Sequence, residues 1–244
     1  MNAWRGVLRS AVVGLAFLFT GGCGPRVDFL HREPDFGYPT LKQGGIAALG
    51  GVTTQGSPEG RRSLREPLSQ GLETALRGER RDLTVLGVDQ VLWEIGDGFR
   101  EDLLDAFDRD GGLEQEDLAL LDSLVGDQAR YVALARVEDQ WITRDEAEDE
   151  SEPNETKTTV TVSLTIRVAF VVYDLQAGRS VWSATLTGSD KNSSTFTDKE
   201  QGFWATLASA VLGLDDHDDP SAPNAAGTLR KIFSKFAKEL PSDD

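Results

Sequence analysis

The chain has 244 residues, 39% hydrophobic and 27% charged, with a formal net charge of −16. That length and apolar content suit one domain of about 200 residues plus tails, with a genuine core. So acidic a chain is repelled by nucleic-acid phosphate, so nucleic acid is not an expected partner, and it avoids anionic lipid unless anchored.

The amino terminus carries Arg5 and Arg9, then an uncharged, largely apolar run over 10–20, then Gly21, Gly22 and Cys23, the single cysteine of the chain. A basic start, an apolar stretch and small residues form the layout of a secretory signal. The run is too short for a permanent helix across about 30 Å of hydrocarbon. Two readings follow: an ordinary signal with an incidental cysteine, or one cleaved before a cysteine that becomes acylated. The stretch AFLFTGGCG resembles a bacterial lipoprotein signal, whose lipobox ends in the lipidated cysteine. Gly21 and Gly22 match its small positions, and Thr20 stands where Leu, Ile or Val is usual. The resemblance implies a signal peptide over 1–22 and a mature chain of charge −18 beginning at Cys23, since Arg5 and Arg9 are removed. It also implies palmitate-type acylation that holds the chain to a membrane through Cys23. Gly24, not Asp, follows the cysteine, which in this class implies the outer membrane with the domain facing the periplasm.

Residues 23–40 carry three prolines and no period, and are expected to be a lipidated tether, with His31 solvated within it. The apolar, glycine-bounded run 44–54 predicts a buried strand. Leu64, Leu68, Leu72, Ala75 and Leu76 recur at helical spacing; Pro67 suggests a start near 63–66, and Gly78 a stop. A second strand is expected from 82 to at least Val88. Helical segments follow, with Phe99, Leu103, Leu104 and Phe107 on one face, a break at Gly111 and Gly112, then Leu113, Leu118, Leu121 and Leu124. A third strand is expected over 129–141.

Residues 143–156, with seven acidic side chains, are expected to be a solvated loop. Val160, Val162, Leu164, Ile166, Val168, Phe170 and Val172 then alternate with mostly polar neighbours, the pattern of a long strand with one apolar face. Asp174 and Gly178 are turn residues, and 157–189 reads as a long hairpin. The polar stretch 189–200 is expected to be a loop, and Phe203, Leu207, Val211 and Leu212 to mark a helix ended by 215–224. Leu229, Ile232, Phe233 and Phe236 mark a last helix. The expected fold is α/β (an α+β sandwich): one periplasmic domain over 41–240, a mixed sheet of about five strands with helices packed on it.

The turn Asp174, Ala177, Gly178, then Val181 and Trp182, resembles one in a group of periplasmic lipoprotein domains. That group includes the penicillin-binding-protein activator lipoproteins, the curli-secretion lipoprotein and the N-terminal domain of the Tol-system β-propeller protein. The resemblance implies a non-enzymatic scaffold that binds other envelope proteins or assembles secretion complexes. Trp182, Trp141, Asp174 and Gly178 are the candidate interaction residues.

Catalytic and cofactor signals are weak. The glycines at 44, 45, 50 and 51 lack the lysine and spacing of a phosphate loop. The run DDHDDP at 215–220 clusters carboxylates around His217, but adjacent residues point in different directions and do not converge on a cation. Neither it nor the acidic stretch is read as a metal site, and no cofactor is expected. Two histidines, both in expected loops, give little for a nucleophile to work with. The expectation is a non-catalytic adaptor or assembly factor with an envelope protein partner. The alternatives are a subunit of an oligomeric secretion pore, because the 159–172 strand is long enough to span a membrane, and an envelope enzyme of unrecognised class.

Overall fold

The computed structural model describes residues 24–152, 155–199 and 220–243. In chain order the elements are β1 (Arg26–Arg32), α1 (Tyr38–Gly44), β2 (Ile46–Thr53), α2 (Pro58–Glu79), β3 (Val85–Leu86), α3 (Val88–Ile95), α4 (Asp97–Asp110), α5 (Gln115–Val125), β4 (Tyr131–Glu152), β5 (Glu155–Asp174), β6 (Arg179–Lys199) and α6 (Ala225–Glu239). The sheet order is β1-β6-β5-β4-β2-β3. β2 runs parallel to β3 and β4; the other pairs are antiparallel. The fold is α/β, as expected, with a sixth strand.

Both sheet faces are covered, so β2 is buried at every position and reads as a continuous apolar run, not an alternating one. On one face, Ile46, Ala48, Val168, Phe170 and Trp182 pack against Leu72 and Leu76 of α2 and Phe233 and Phe236 of α6. On the other, Ala47, Leu49, Val132 and Leu134 pack against Val91 of α3, Leu104 and Phe107 of α4, and Leu121 of α5. Phe170 and Phe236 stack at 4.3 Å.

The structure corrects several boundaries. The expected tether is instead largely structured: β1 pairs with β6 from Arg26↔Thr187 to Arg32↔Trp182, and α1 follows. Prolines 25, 34 and 39 fall before, between and at the start of these elements, where a missing N–H costs nothing. Helix α2 starts two turns earlier than expected because Ser57 Oγ accepts from Gly60 N–H and Pro58 opens the helix. Pro67 is tolerated inside because it and Ser63, whose carbonyl it leaves without an amide partner, are exposed. The second strand shortens to Val85–Leu86, since α3 begins at Val88, whose N–H donates to Glu73 Oε2.

The acidic and polar stretches are strands as well. β4 continues to Glu152 and β6 to Lys199, flanking β5 as a three-stranded extension that runs past α2–α5 and, after Asp190, past α6. Their polarity conceals the strand period, because Asp145, Glu146 and Glu148 face solvent on either side of β4. Thr159, Thr161 and Thr165 of β5 meet the hydroxyls of Thr195, Ser193 and Ser189 on β6. Such cross-strand hydroxyl pairs stabilise a sheet without apolar side chains. The expected helix around Phe203–Leu212 and His217 lie outside the described residues.

β3 pairs with only Ile46 and Ala47 of β2, leaving the edge of β2 open beyond them. Side chains close it. Gly51 N–H donates to Ser69 Oγ at 3.0 Å, and Leu49 C=O accepts from Arg100 Nε at 3.0 Å. Arg100 Nη2 also donates to Ser69 Oγ (2.9 Å), whose hydroxyl donates to Arg65 C=O. A Cβ on Gly51 would lie 2.7 Å from Leu68 Cβ, so these glycines serve close packing of α2 on β2. Ser69→Ala is expected to destabilise the fold by about 1–3 kcal/mol, by leaving a buried strand N–H unpaired; a lowered urea midpoint at unchanged slope checks this.

Candidate functional site

Three regions hold the residues singled out from sequence: the turn between β5 and β6, the extension, and the amino-terminal edge. Asp174 ends β5, and its carboxylate takes Arg130 Nε at 3.0 Å and Nη2 at 2.6 Å. It also accepts the Ala177 N–H at 3.2 Å, shaping the turn. The paired carboxylate raises the Arg130 pKa. Gly178 has φ +61, left-handed backbone that favours glycine. Trp182 is 0% exposed and meets Phe236 edge-on at 5.3 Å. Asp174 and Trp182 are thus buried, and neither presents a surface to a partner. The structure brings Asp174 and Gly178 together as a turn device and sends Trp182 into the core.

Trp141 lies elsewhere, half-exposed on β4, with the Arg167 guanidinium 6.0 Å over its ring. It stands at the base of the extension, on the face that carries the Thr and Ser hydroxyls, because Trp141 pairs with Thr165. On the opposite face α6 is tied to β6: Asp190 accepts from Thr228 Oγ1 at 2.7 Å and pairs with Lys231. The Lys231 hydrogen bond chiefly lowers the Asp190 pKa, helped by Thr228 and opposed by burial.

Past Glu138, whose C=O accepts from Thr54 Oγ1 and Gln55 Nε2, β4 has no strand beside it on its outer side among the described residues, and past Thr187 neither has β6. Among the described residues the extension thus offers two long strand edges without a neighbour, of the kind that pairs with another strand unless blunted by charge. Only β4 is strongly charged there.

Cys23 lies outside the described residues. The domain begins almost at once after it, with β1 starting at Arg26. β1 is an edge strand, and Phe29 (55% exposed) and Leu30 (47%) leave apolar surface on it. Asp28 accepts from Thr187 Oγ1 at 2.5 Å and pairs with Arg26 at 2.8 Å. Phe29 and Leu30 carry no strand signal in the sequence, because the seven residues of β1 mix charged and apolar side chains without a period between prolines. Trp93 is 88% exposed over a shallow depression shared with Asp89, Gln90, Glu94 and Gln128. Among the described residues no group of His, Cys, Asp and Glu is arranged to hold a metal ion, and no helix is long and apolar enough to cross a membrane.

No protein-family model matches the sequence, and no curated protein matches it. Solved structures do match. The PelC dodecamer from Paraburkholderia phytofirmans is 13% identical over 90% of this chain and 99% of that one, with a TM-score of 0.38. Lipoprotein GNA1162 from Neisseria meningitidis is 15% identical over 69% and 95%, TM-score 0.28. The LpoB C-terminal domain from Salmonella enterica is 14% identical over 60% and 82%, TM-score 0.32.

Two outcomes follow from these contacts. Trp182→Ala is expected to cost about 3–5 kcal/mol, whereas Trp182→Phe keeps most of the volume and removes a buried, unpartnered Nε1 donor, costing under about 1.5 kcal/mol; urea unfolding separates them. Asp190 has a folded pKa below its ordinary 3.8. Its contribution is present above that value and is lost as pH falls through the lowered one. The gap in urea midpoint between wild type and Asp190→Asn is therefore expected to be full at neutral pH and to close in acid.

Proposed function

We propose that this chain is a lipoprotein of the bacterial outer membrane, held by acyl chains on Cys23, whose periplasmic α/β domain is a non-catalytic adaptor or assembly factor for an envelope complex. The observation that carries the proposal is the basic, apolar, small-residue leader ending at the chain's single cysteine, directly before a folded domain. Each buried CH₂ contributes about 0.8 kcal/mol, so two or more acyl chains hold a soluble domain stably at a bilayer. Contact with a protein partner is supported by the outer edges of β4 and β6, which have no neighbouring strand in the extension among the described residues and so present backbone donors and acceptors for strand addition. The exposed Trp93 adds an aromatic anchor of the kind that dominates interfaces.

The same edges favour a second reading, in which β4 of one copy pairs with β6 of the next. A heterologous contact of this kind builds a ring, as a secretion pore requires, when the rotation from copy to copy closes, and an open filament when it does not.

Replacing the acceptor tests the anchor: Cys23→Ser is expected to abolish incorporation of labelled palmitate and to release the chain from the membrane fraction. Retention of the variant in membranes would falsify the lipid anchor. Crosslinking from positions along the β4 and β6 edges in intact envelopes tests the rest. A heterologous crosslinked protein supports the adaptor, and a ladder of homo-oligomers supports the ring.

A further inference from the structure

We infer that the free edge of β1 docks edge-on against the lipid headgroup layer, with Phe29 and Leu30 reaching the upper acyl region and Arg26 and Arg32 at the phosphates. The inference rests on the reading of Cys23 as the acylated residue and goes beyond it, because an anchor alone leaves a domain free to tumble on its tether.

Reach comes first. Two residues, Gly24 and Pro25, separate Cys23 from Arg26, and the three steps of chain, at no more than about 3.6 Å each, span at most roughly 11 Å. A folded domain on so short a leash stays at the bilayer, and the surface nearest the leash is the one that meets it. That surface is β1, all of whose side chains but Val27 are exposed.

Shape comes second. Successive residues of a strand point to opposite faces of the sheet. Phe29 and Leu30 therefore flank the strand, one on each side of the sheet plane, opposite Thr185 and Ala184 of β6. Neither face of the sheet, laid flat on a surface, would bury both. Approach by the edge does: the two side chains straddle the rim and enter together. The N–H groups of that rim, which faces no other strand among the described residues, then lie at headgroup depth, where phosphate oxygens and water accept them, as the hydrocarbon interior would not.

Charge comes third. The mature chain is strongly acidic, yet over 24–32 Arg26 and Arg32 outweigh Asp28, which is itself engaged by Arg26 and Thr187. Arg32 is exposed and has no partner among the described residues. Basic side chains beside exposed Phe and Leu are the chemistry of an interfacial segment.

The lone native cysteine makes the test clean, because acylation consumes it and a second cysteine can be labelled selectively. Full-length acylated chain carrying Leu30→Cys is labelled with NBD and reconstituted into phosphatidylcholine vesicles containing a minority of phosphatidylglycerol. Leu124→Cys, exposed on α5, is the comparison. The expected result is blue-shifted emission at position 30 and quenching by shallow doxyl-labelled lipid at least about twofold stronger than at 124, reduced by adding Phe29→Ser. Flotation with vesicles but equal responses at 30 and 124 overturns the docking and leaves the anchor standing. Failure to float overturns the anchor, and the docking with it. Shielding of position 30 that needs no vesicles and grows with protein concentration overturns the docking in favour of β1 pairing between copies.

Discussion

The architecture depends on closing the open side of β2. This strand is buried on both faces, and β3 covers only its first two residues. The remaining backbone groups sit where water does not compete, and an unpaired one costs more than most single contacts contribute. Ser69 from α2 and Arg100 from α4 supply the partners, one from each helical layer. Around them the charges follow: Arg65 reaches Glu101 and Asp105, and Arg61 reaches Asp108. Burial works against the charge on Arg65, and the two carboxylates more than offset it. Two helices on opposite faces are thereby fixed to one strand and to each other.

β5 shows how one strand serves two environments. Its even-numbered residues from Val160 to Val172 stay buried throughout. The odd-numbered ones change from Thr159, Thr161 and Thr165 to Ala169 and Val171, where the helices of the second layer arrive. The sheet can outrun that layer because the face that the described helices leave uncovered carries hydroxyls that bond across strands.

Elements driven by apolar period were legible in the sequence: β2, α2, α4, α5, β5 and α6 fall where their hydrophobic residues place them. What escaped was structure made by polar or irregular residues. Glu146 and Glu148 in β4, and Ser193 and Thr195 in β6, are strand residues because their neighbours are strands, and no local pattern announces it. β1 likewise exists only because β6 offers it an edge. Of the candidate site, the turn was legible through Asp174 and Gly178, but not the burial of Trp182, since an aromatic beside a turn looks the same whether it points in or out. Trp93 shows the converse, an aromatic on an otherwise amphipathic helix left facing solvent.

The pairing of Arg26 with Thr187 carries one more consequence. β6 continues from Gly188 to Lys199 beyond that pair, roughly 40 Å of strand at about 3.3 Å per residue. The end of β1 that lies nearest Cys23 is the end from which the three-stranded extension departs. The extension is therefore a cantilever rooted beside the amino-terminal start of the domain, and the outer edge of its β6 is set back by a single strand spacing, about 4.8 Å, from the rim of β1. Any rotation of the domain about that start sweeps the far tip through a long arc, whereas holding the rim of β1 fixes the tip at one height and bearing.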